Sequence, residues 1–263
     1  MPENKGISQA LAGIGPITLE EMDAVKLLNR IDSKYLTNEA GLEAVLRDAA
    51  AAGYRALVVD GKKQNRYTSV YYDTDGLRMF QDHHNRRLVR QKVRTRTYVE
   101  SGQTFLEIKR KNNHGRTKKK RMEIPQAELM DFKADKAACD FLAAKSWFTC
   151  DQLSPVLDTR FKRITLVNPA KTERLTIDTC LEFTNFRNGR RATLLDAVII
   201  ELKQDGRADS QMKRILLDNR IKPMRISKYC IAVTLTEPSA RSGRFKVKVR
   251  RVEKTIGKKL ITI

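Results

Sequence analysis

Between Arg86 and Arg121, cationic side chains recur at a spacing of two residues. Arg86, Arg90, Lys92, Arg94 and Arg96 share one parity with Leu88 and Tyr98, while Val89, Gln91, Val93, Thr95, Thr97 and Val99 share the other. Successive side chains of a β-strand point to opposite faces, so this pattern predicts a strand with one strongly basic face. The pattern continues with Phe105, Glu107, Lys109 and Lys111 set against Leu106 and Ile108. Beyond the Asn112–Gly115 turn, Lys119, Arg121 and Glu123 are set against Met122 and Ile124. Like charges this close repel on a flat sheet and need water or a polyanion in front of them. Guanidinium forks grip phosphate oxygens in pairs and ammonium groups add point charges. The ligand this chemistry suits is compact and highly anionic: a triphosphate, pyrophosphate or polyphosphate chain.

The same motif, one charged and one apolar face, recurs in Arg30–Tyr35, Arg174–Asp178 and Ala197–Lys203. It places Lys34, Arg90, Lys92, Arg94, Arg96, Lys109, Lys111, Lys119, Arg121, Arg160, Arg174, Lys203 and Lys228 as candidates for one anion-binding surface. Asp32, Glu107, Asp178 and Glu201 lie on the same faces. A few carboxylates among many cations suit Mn²⁺ or Mg²⁺, hard ions that bind phosphate oxygens alongside one or two carboxylates. The metal candidates are Glu201 and Asp178. Asp178 serves equally well as the partner of an arginine, and Glu201–Lys203 as an ion pair of a surface sheet.

No Walker loop, G-x-S-x-G elbow or histidine pair at ligand spacing is present. Phosphoryl transfer needs none of these, because positioning and electrostatic stabilisation carry it. The formal net charge is +21, of which Arg86–Arg121 holds +12 and Arg241–Lys259 holds +8, leaving a nearly neutral body. A concentrated charge of this kind predicts a dedicated anion site and a basic tail. Aromatic residues are 6% of the chain and do not interleave with the basic block, which argues against a base-stacking RNA surface or any specific nucleic acid. The four cysteines are scattered and read as free thiols. Neither a signal-peptide pattern nor a long apolar run is found, so a soluble cytoplasmic protein is expected.

To present such faces inward, the chain needs strands with helices between them. Helices are predicted from Thr18 through Leu28, from Thr37-Asn38 to Gly53, from Pro125 to near Trp147 and after Asp209-Ser210; Arg66–Asp73 and Asp158–Leu166 read as further strands. Residues up to about Leu19 read as a loose arm. The expected fold is α+β: a closed antiparallel β-barrel with a charged lumen and helices packed outside. The expected division is an N-terminal arm and short helix over 1–29, a tunnel domain over 30–237 and a basic tail over 238–263.

Taken together, these residues resemble a known family, the polyphosphate polymerase domain of the vacuolar transporter chaperone (VTC) proteins and its bacterial relatives, within the triphosphate tunnel metalloenzymes. The stretches that carry the resemblance are Arg30–Tyr35, Tyr71–Thr74, His84–Arg96, Phe105–Lys111, Gly115–Arg121, Arg160, Arg174–Asp178, Ile200–Lys203 and Ser227–Tyr229. It implies an eight-stranded tunnel in which ATP donates its γ-phosphate to a growing polyphosphate chain. It also implies that Lys34, Arg94, Arg96, Lys109, Lys119, Arg160, Arg174 and Lys228 bind phosphates and that Glu201 holds the metal. Arg87 would be a further phosphate ligand in the family pattern, although parity points it outward. Instead of the E-x-E-x-K start of the cyclase and thiamine-triphosphatase branch, this chain has Arg30-x-Asp32-x-Lys34, which favours the polymerase branch.

The expected function is therefore a metal-dependent polyphosphate polymerase, with a triphosphatase or a non-catalytic polyphosphate- or RNA-binding module as alternatives. Any membrane-protein partner would be encoded elsewhere. Arg241–Lys259 is expected to be a flexible polycation rather than a docked strand.

Overall fold

The computed structural model describes residues 4–23, 25, 30–206 and 209–262. Its strands are β1 (Gly15–Ile17), β2 (Arg30–Asn38), β3 (Arg55–Leu57), β4 (Gln64–Asp73), β5 (Arg90–Tyr98), β6 (Thr104–Lys111), β7 (Thr117–Ile124), β8 (Ser154–Val167), β9 (Glu173–Asn185), β10 (Arg191–Leu194) and β11 (Ala197–Asp205). The helices are α1 (Lys5–Ala12), α2 (Leu19–Asp23), α3 (Glu39–Ala51), α4 (Arg78–His84), α5 (Lys136–Lys145), α6 (Gln211–Asp218), α7 (Lys228–Thr236) and α8 (Gly243–Ile256).

Eight strands follow one another in the order β2-β11-β9-β8-β4-β5-β6-β7, each antiparallel to its neighbour. The expected closed barrel does not form. Among the described residues β2 and β7 do not pair, and the sheet is an open, curled half-barrel with α1, α3, α5 and α6 on its outside. The free edges explain why. β7 carries Lys118, Lys119, Lys120 and Arg121 in succession, so both its faces are basic and the edge repels another strand. The outer edge of β2 is met by the chain itself: Met224 N–H donates to Lys34 O (2.7 Å), and Asn38 Nδ2 donates to Thr255 O (3.2 Å).

The convex face is apolar and covered. Ile164, Leu166, Leu175, Ile177, Val198, Ile200 and Leu202 pack with Ile7 and Leu11 of α1, Leu42, Val45 and Leu46 of α3, and Met212 and Leu216 of α6. Val70, Tyr72, Val93, Leu106 and Ile108 pack with Met79 of α4, Phe132 and Ala138 and Leu142 of α5. The N-terminal residues are thus not a loose arm: Asn4 Oδ1 caps α1, whose apolar side is buried against α3. Asn38 caps α3 as its sequence predicts, accepting Gly41 N–H at 2.9 Å. The predicted continuation of α2 to Leu28 falls partly outside the described residues. The long helix expected after Pro125 is broken into a 3₁₀ turn (Gln126–Leu129) and α5.

Two further expectations are corrected. Cys139 and Cys150 form a disulfide that ties α5 to the turn before β8, leaving Cys180 and Cys230 free. Their separation of 11 residues matches no framework motif, and only the fold brings them together. The basic C-terminal segment is neither unpacked nor a strand. It forms α8, which buries Phe245 and Val252 against Phe80, Leu36 and α7. Phe245, Val249, Val252 and Ile256 recur at helical spacing and supply the apolar side that the flanking charges obscure.

Candidate anion-binding trough

The concave face of the half-barrel is divided. One part is filled by α7, whose Tyr229, Cys230 and Val233 pack on Tyr71, Leu157, Phe161, Leu181 and Phe183. Asp73 anchors this plug: its carboxylate accepts Met79 and Phe80 N–H at the start of α4 (2.8 and 2.9 Å) and the Tyr229 hydroxyl (2.6 Å). The other part is a charged trough.

Registers set the trough's lining. Across β5 and β6, Arg90 faces Lys111, Lys92 faces Lys109 and Arg94 faces Glu107; across β6 and β7, Lys109 faces Lys119 and Glu107 faces Arg121. At the far wall Glu201 lies between Lys34 of β2 and Thr176 of β9, and Lys203 lies between Asp32 and Arg174. The trough therefore gathers Lys34, Arg94, Arg96, Lys109, Lys119, Arg174, Lys203 and Lys228 with three carboxylates. Arg90, Lys92 and Lys111 lie toward one end. Arg121 sits on the exposed β7 lip, stacked on Phe105 with its guanidinium 4.5 Å from the ring centre.

Two expected residues are elsewhere. Arg160 is on the opposite face, with its side chain 68% exposed and bonded to Asp158 (2.8 Å). Alternation along β8 is unbroken: Leu157, Phe161 and Arg163 share the inner side, so Arg160 and Lys162 point away, and the extra residue of the β8–β9 register shift lies on β9. Arg87 lies in the loop before β5, where its Nε is 3.1 Å from Asp82 Oδ1. Asp32 is drawn aside by Arg30.

Arg163, a residue outside the expected set, faces inward on the same side of β8 as Phe161. Its Nε and Nη2 bind the two oxygens of Asp178 (2.6 and 2.9 Å), and Lys228 binds the same carboxylate. Also inward are Ser69, which accepts from Arg96 Nε (2.9 Å), and Tyr71, whose hydroxyl accepts from Arg94 Nη1 (3.1 Å). Position opposite a known lining residue was the available signal: Arg163 pairs with Asp178, Ser69 with Arg96 and Tyr71 with Arg94.

Cations outnumber anions here, and the titrations respond accordingly. Burial raises the Glu107 carboxyl, but Arg94 and Arg96 outweigh it and hold the group well below the usual carboxylate range. Asp178 is held low in the same way by Arg163 and Lys228. At Glu201, desolvation raises the carboxyl, but Lys203, Lys34 and Lys109 outweigh it and hold the group well below its ordinary value. Lys109 is pushed well down, first by the charge of Arg94 and then by burial; burial also lowers Lys203 and Lys228. For Tyr71 burial alone would raise the hydroxyl, but Arg94, Arg96, Lys92 and Lys228 bring it down to about 8. The shifts of Glu107, Asp178, Glu201, Lys109 and Tyr71 express the same excess of positive potential, which an incoming polyanion relieves.

The carboxylates differ in reach. The side chains of Glu107 and Asp178 are 1% and 3% exposed and engaged by two cations each, whereas that of Glu201 is 25% exposed, with Lys34 at 3.5 Å and Lys203 at 3.3 Å. Among the described residues no three His, Cys, Asp or Glu side chains converge into a metal cage. The donor set fits a hard cation shared between one carboxylate and a ligand's own phosphate oxygens. Glu201 is the group able to serve it, and Asp178 is already committed to Arg163 and Lys228.

A family model described as the VTC domain matches residues 29–237. No curated protein matches the chain. Among solved structures, a candidate adenylyl cyclase from Hippeastrum, described with a dominant triphosphatase activity, is 13% identical. The match covers 78% of this chain and 95% of that one, with a TM-score of 0.50. A candidate adenylate cyclase from Bacillus halodurans is also 13% identical, covering 76% and 96% of the two chains with a TM-score of 0.48. A third, from Vibrio parahaemolyticus, is 11% identical, with coverage of 77% and 96% and a TM-score of 0.45. At these identities the likeness concerns the fold alone.

Proposed function

The chain belongs to the VTC domain family, and on that premise we propose that it is a metal-dependent phosphotransferase that lengthens polyphosphate with the γ-phosphate of ATP. The observation that carries this reading is the trough itself: a linear, cation-lined surface with a reachable carboxylate, Glu201, on one wall.

The chemistry follows from that lining. Lys34, Arg94, Arg96, Lys109 and Lys119 hold phosphate oxygens of donor and acceptor in line, so the bimolecular reaction becomes a local displacement. A terminal oxygen of polyphosphate forms the new bond to the γ-phosphorus as the bond to the β-γ bridging oxygen breaks. ADP leaves with that oxygen and the chain grows by one phosphate. Arg163, Arg174, Lys203 and Lys228 add fixed positive charge where the equatorial oxygens spread theirs. Mn²⁺ or Mg²⁺, held by Glu201 together with substrate phosphates, would neutralise charge developing on the bridging oxygen. No proton need be removed, in keeping with a site that offers no histidine base.

Incubation with ATP, Mn²⁺ and a short polyphosphate primer tests the reading, with chain growth resolved on a gel and ADP measured in parallel. A second reading is tunnel hydrolysis of triphosphate or nucleoside triphosphate, suggested by the activity described for the Hippeastrum protein of similar fold. Free phosphate without longer chains would select it.

A further inference from the structure

Cations crowd the end of the trough where α7 begins. Arg90 and Lys111 are directly opposed across β5 and β6, an arrangement that costs energy when nothing anionic separates them. Lys92 Nζ donates to Ser227 Oγ (2.8 Å), the cap of α7. Lys248 of α8 lies over the Phe245 ring (5.4 Å), and that ring packs edge-on against His83 (5.6 Å). Arg225 follows Met224, which is bonded to the edge of β2, and its charge acts on Arg90, Lys111 and Lys248 alike. Within this crowd His83 is kept neutral, pushed down to about 2 by burial and by Lys92, Arg90, Lys248 and Lys34.

The charge does not stop at the rim. Lys248 and Arg251 are three residues apart on α8 and so share a face. Arg251 lines a cleft of about 320 Å³ with Lys222, Thr255 and the start of α3. Among the described residues Arg90, Lys111, Arg225, Lys248, Arg251 and Lys222 have no carboxylate partner in an ion pair, whereas Lys258 and Lys259 nearby are paired with Asp196 and Glu253. α8 lies wholly beyond the segment matched by the family model.

We propose that α8 and the Lys222–Arg225 segment form a second polyanion site, a cationic track continuing the trough, that holds the part of a linear inorganic polyphosphate extending beyond it. The assignment rests on the polymerase reading for its ligand. The unpaired cations succeed one another from Arg90 and Lys111 at the trough, past Arg225 and Lys248, to Arg251 and Lys222 at the cleft, an order that suits a single extended chain better than a flat lipid surface.

The test is calorimetric titration, without ATP, of tripolyphosphate and long-chain polyphosphate into the wild type and a Lys248→Gln/Arg251→Gln variant. Neither residue lines the trough, and unchanged melting would show that α8 stays docked; Lys222→Gln alone serves if it does not. Removing two close charges should weaken long-chain binding roughly ten-fold or more at low salt, less at high salt, and spare tripolyphosphate. An unchanged preference for long chains, or equal weakening of both ligands, would overturn the track. So would unaltered polyphosphate binding accompanied by lost binding to phosphatidylserine vesicles, which would assign the surface to membranes. If the wild type fails to elongate chains yet the variant loses its long-chain preference, the polymerase reading falls and the track stands.

Discussion

Arg163 of β8 binds both oxygens of Asp178 on β9, at 2.6 and 2.9 Å, and Lys228 of α7 binds the same carboxylate. One buried anion therefore joins two strands to the helix that plugs the half-barrel. Asp178→Asn leaves two cations without their partner, and stability should fall by about 3–5 kcal/mol in urea unfolding. The pH dependence follows in sign. Asp178 and Glu107 are depressed in the folded protein, so their contribution is present above the ordinary carboxylate pKa of about 4 and lost as pH falls below it. The wild type should lose stability steeply on acidification and the variant less so.

Glu201→Gln should leave melting close to wild type, because Glu201 is partly exposed and its loss frees cations that water reaches. Turnover should drop by about 10²-fold or more. Wild-type activity with Mn²⁺ in this variant would remove Glu201 from the mechanism.

The two faces of the sheet should respond differently. Arg96 sits in the trough over Tyr67 and Phe161, while Arg110 is on the convex face stacked on Trp147 at 5.0 Å. Arg96→Ala should cost far more activity than Arg110→Ala in steady-state assays. Equal losses would contradict an inward-facing site.

Tyr71 offers an optical probe. Its hydroxyl is brought down to about 8 by Arg94, Arg96, Lys92 and Lys228 against the effect of burial. Ultraviolet titration should show a tyrosinate step near there that Tyr71→Phe lacks and that bound tripolyphosphate moves upward. Since the folded value lies below the ordinary 10, the unfolded chain binds more protons between about 8 and 10, and this group adds stability as pH rises through that window.

The docking of α8 predicts a stability effect as well. Phe245→Ala removes a side chain buried against Phe80 and both α4 histidines, and should cost about 3–5 kcal/mol. A melt indistinguishable from wild type would restore a loose tail.

The trough was legible in the sequence wherever alternation ran unbroken, as from Arg90 to Arg96 and from Glu107 to Lys111. It misled at Arg160, because β8 turns Phe161 and Arg163 to the concave side, and the charge of Arg160 by itself does not show which parity faces in. Closure of the barrel depends on what the first and last strands do to each other: the cation run of β7 speaks against a further strand at that edge, but nothing local in β2 says what meets its own. α8 was hidden by its charge, although Phe245, Val249, Val252 and Ile256 carried a helical period that a count of basic residues overlooks.

In the proposed reaction phosphate moves from ATP onto a chain rather than to water. Following ATP labelled at the γ-phosphate, with Mn²⁺ and a polyphosphate primer, tests it most directly. Label should appear in a ladder of lengthening chains matched by ADP, and be absent with Glu201→Gln. Label recovered only as free phosphate, with the primer unchanged, would contradict it.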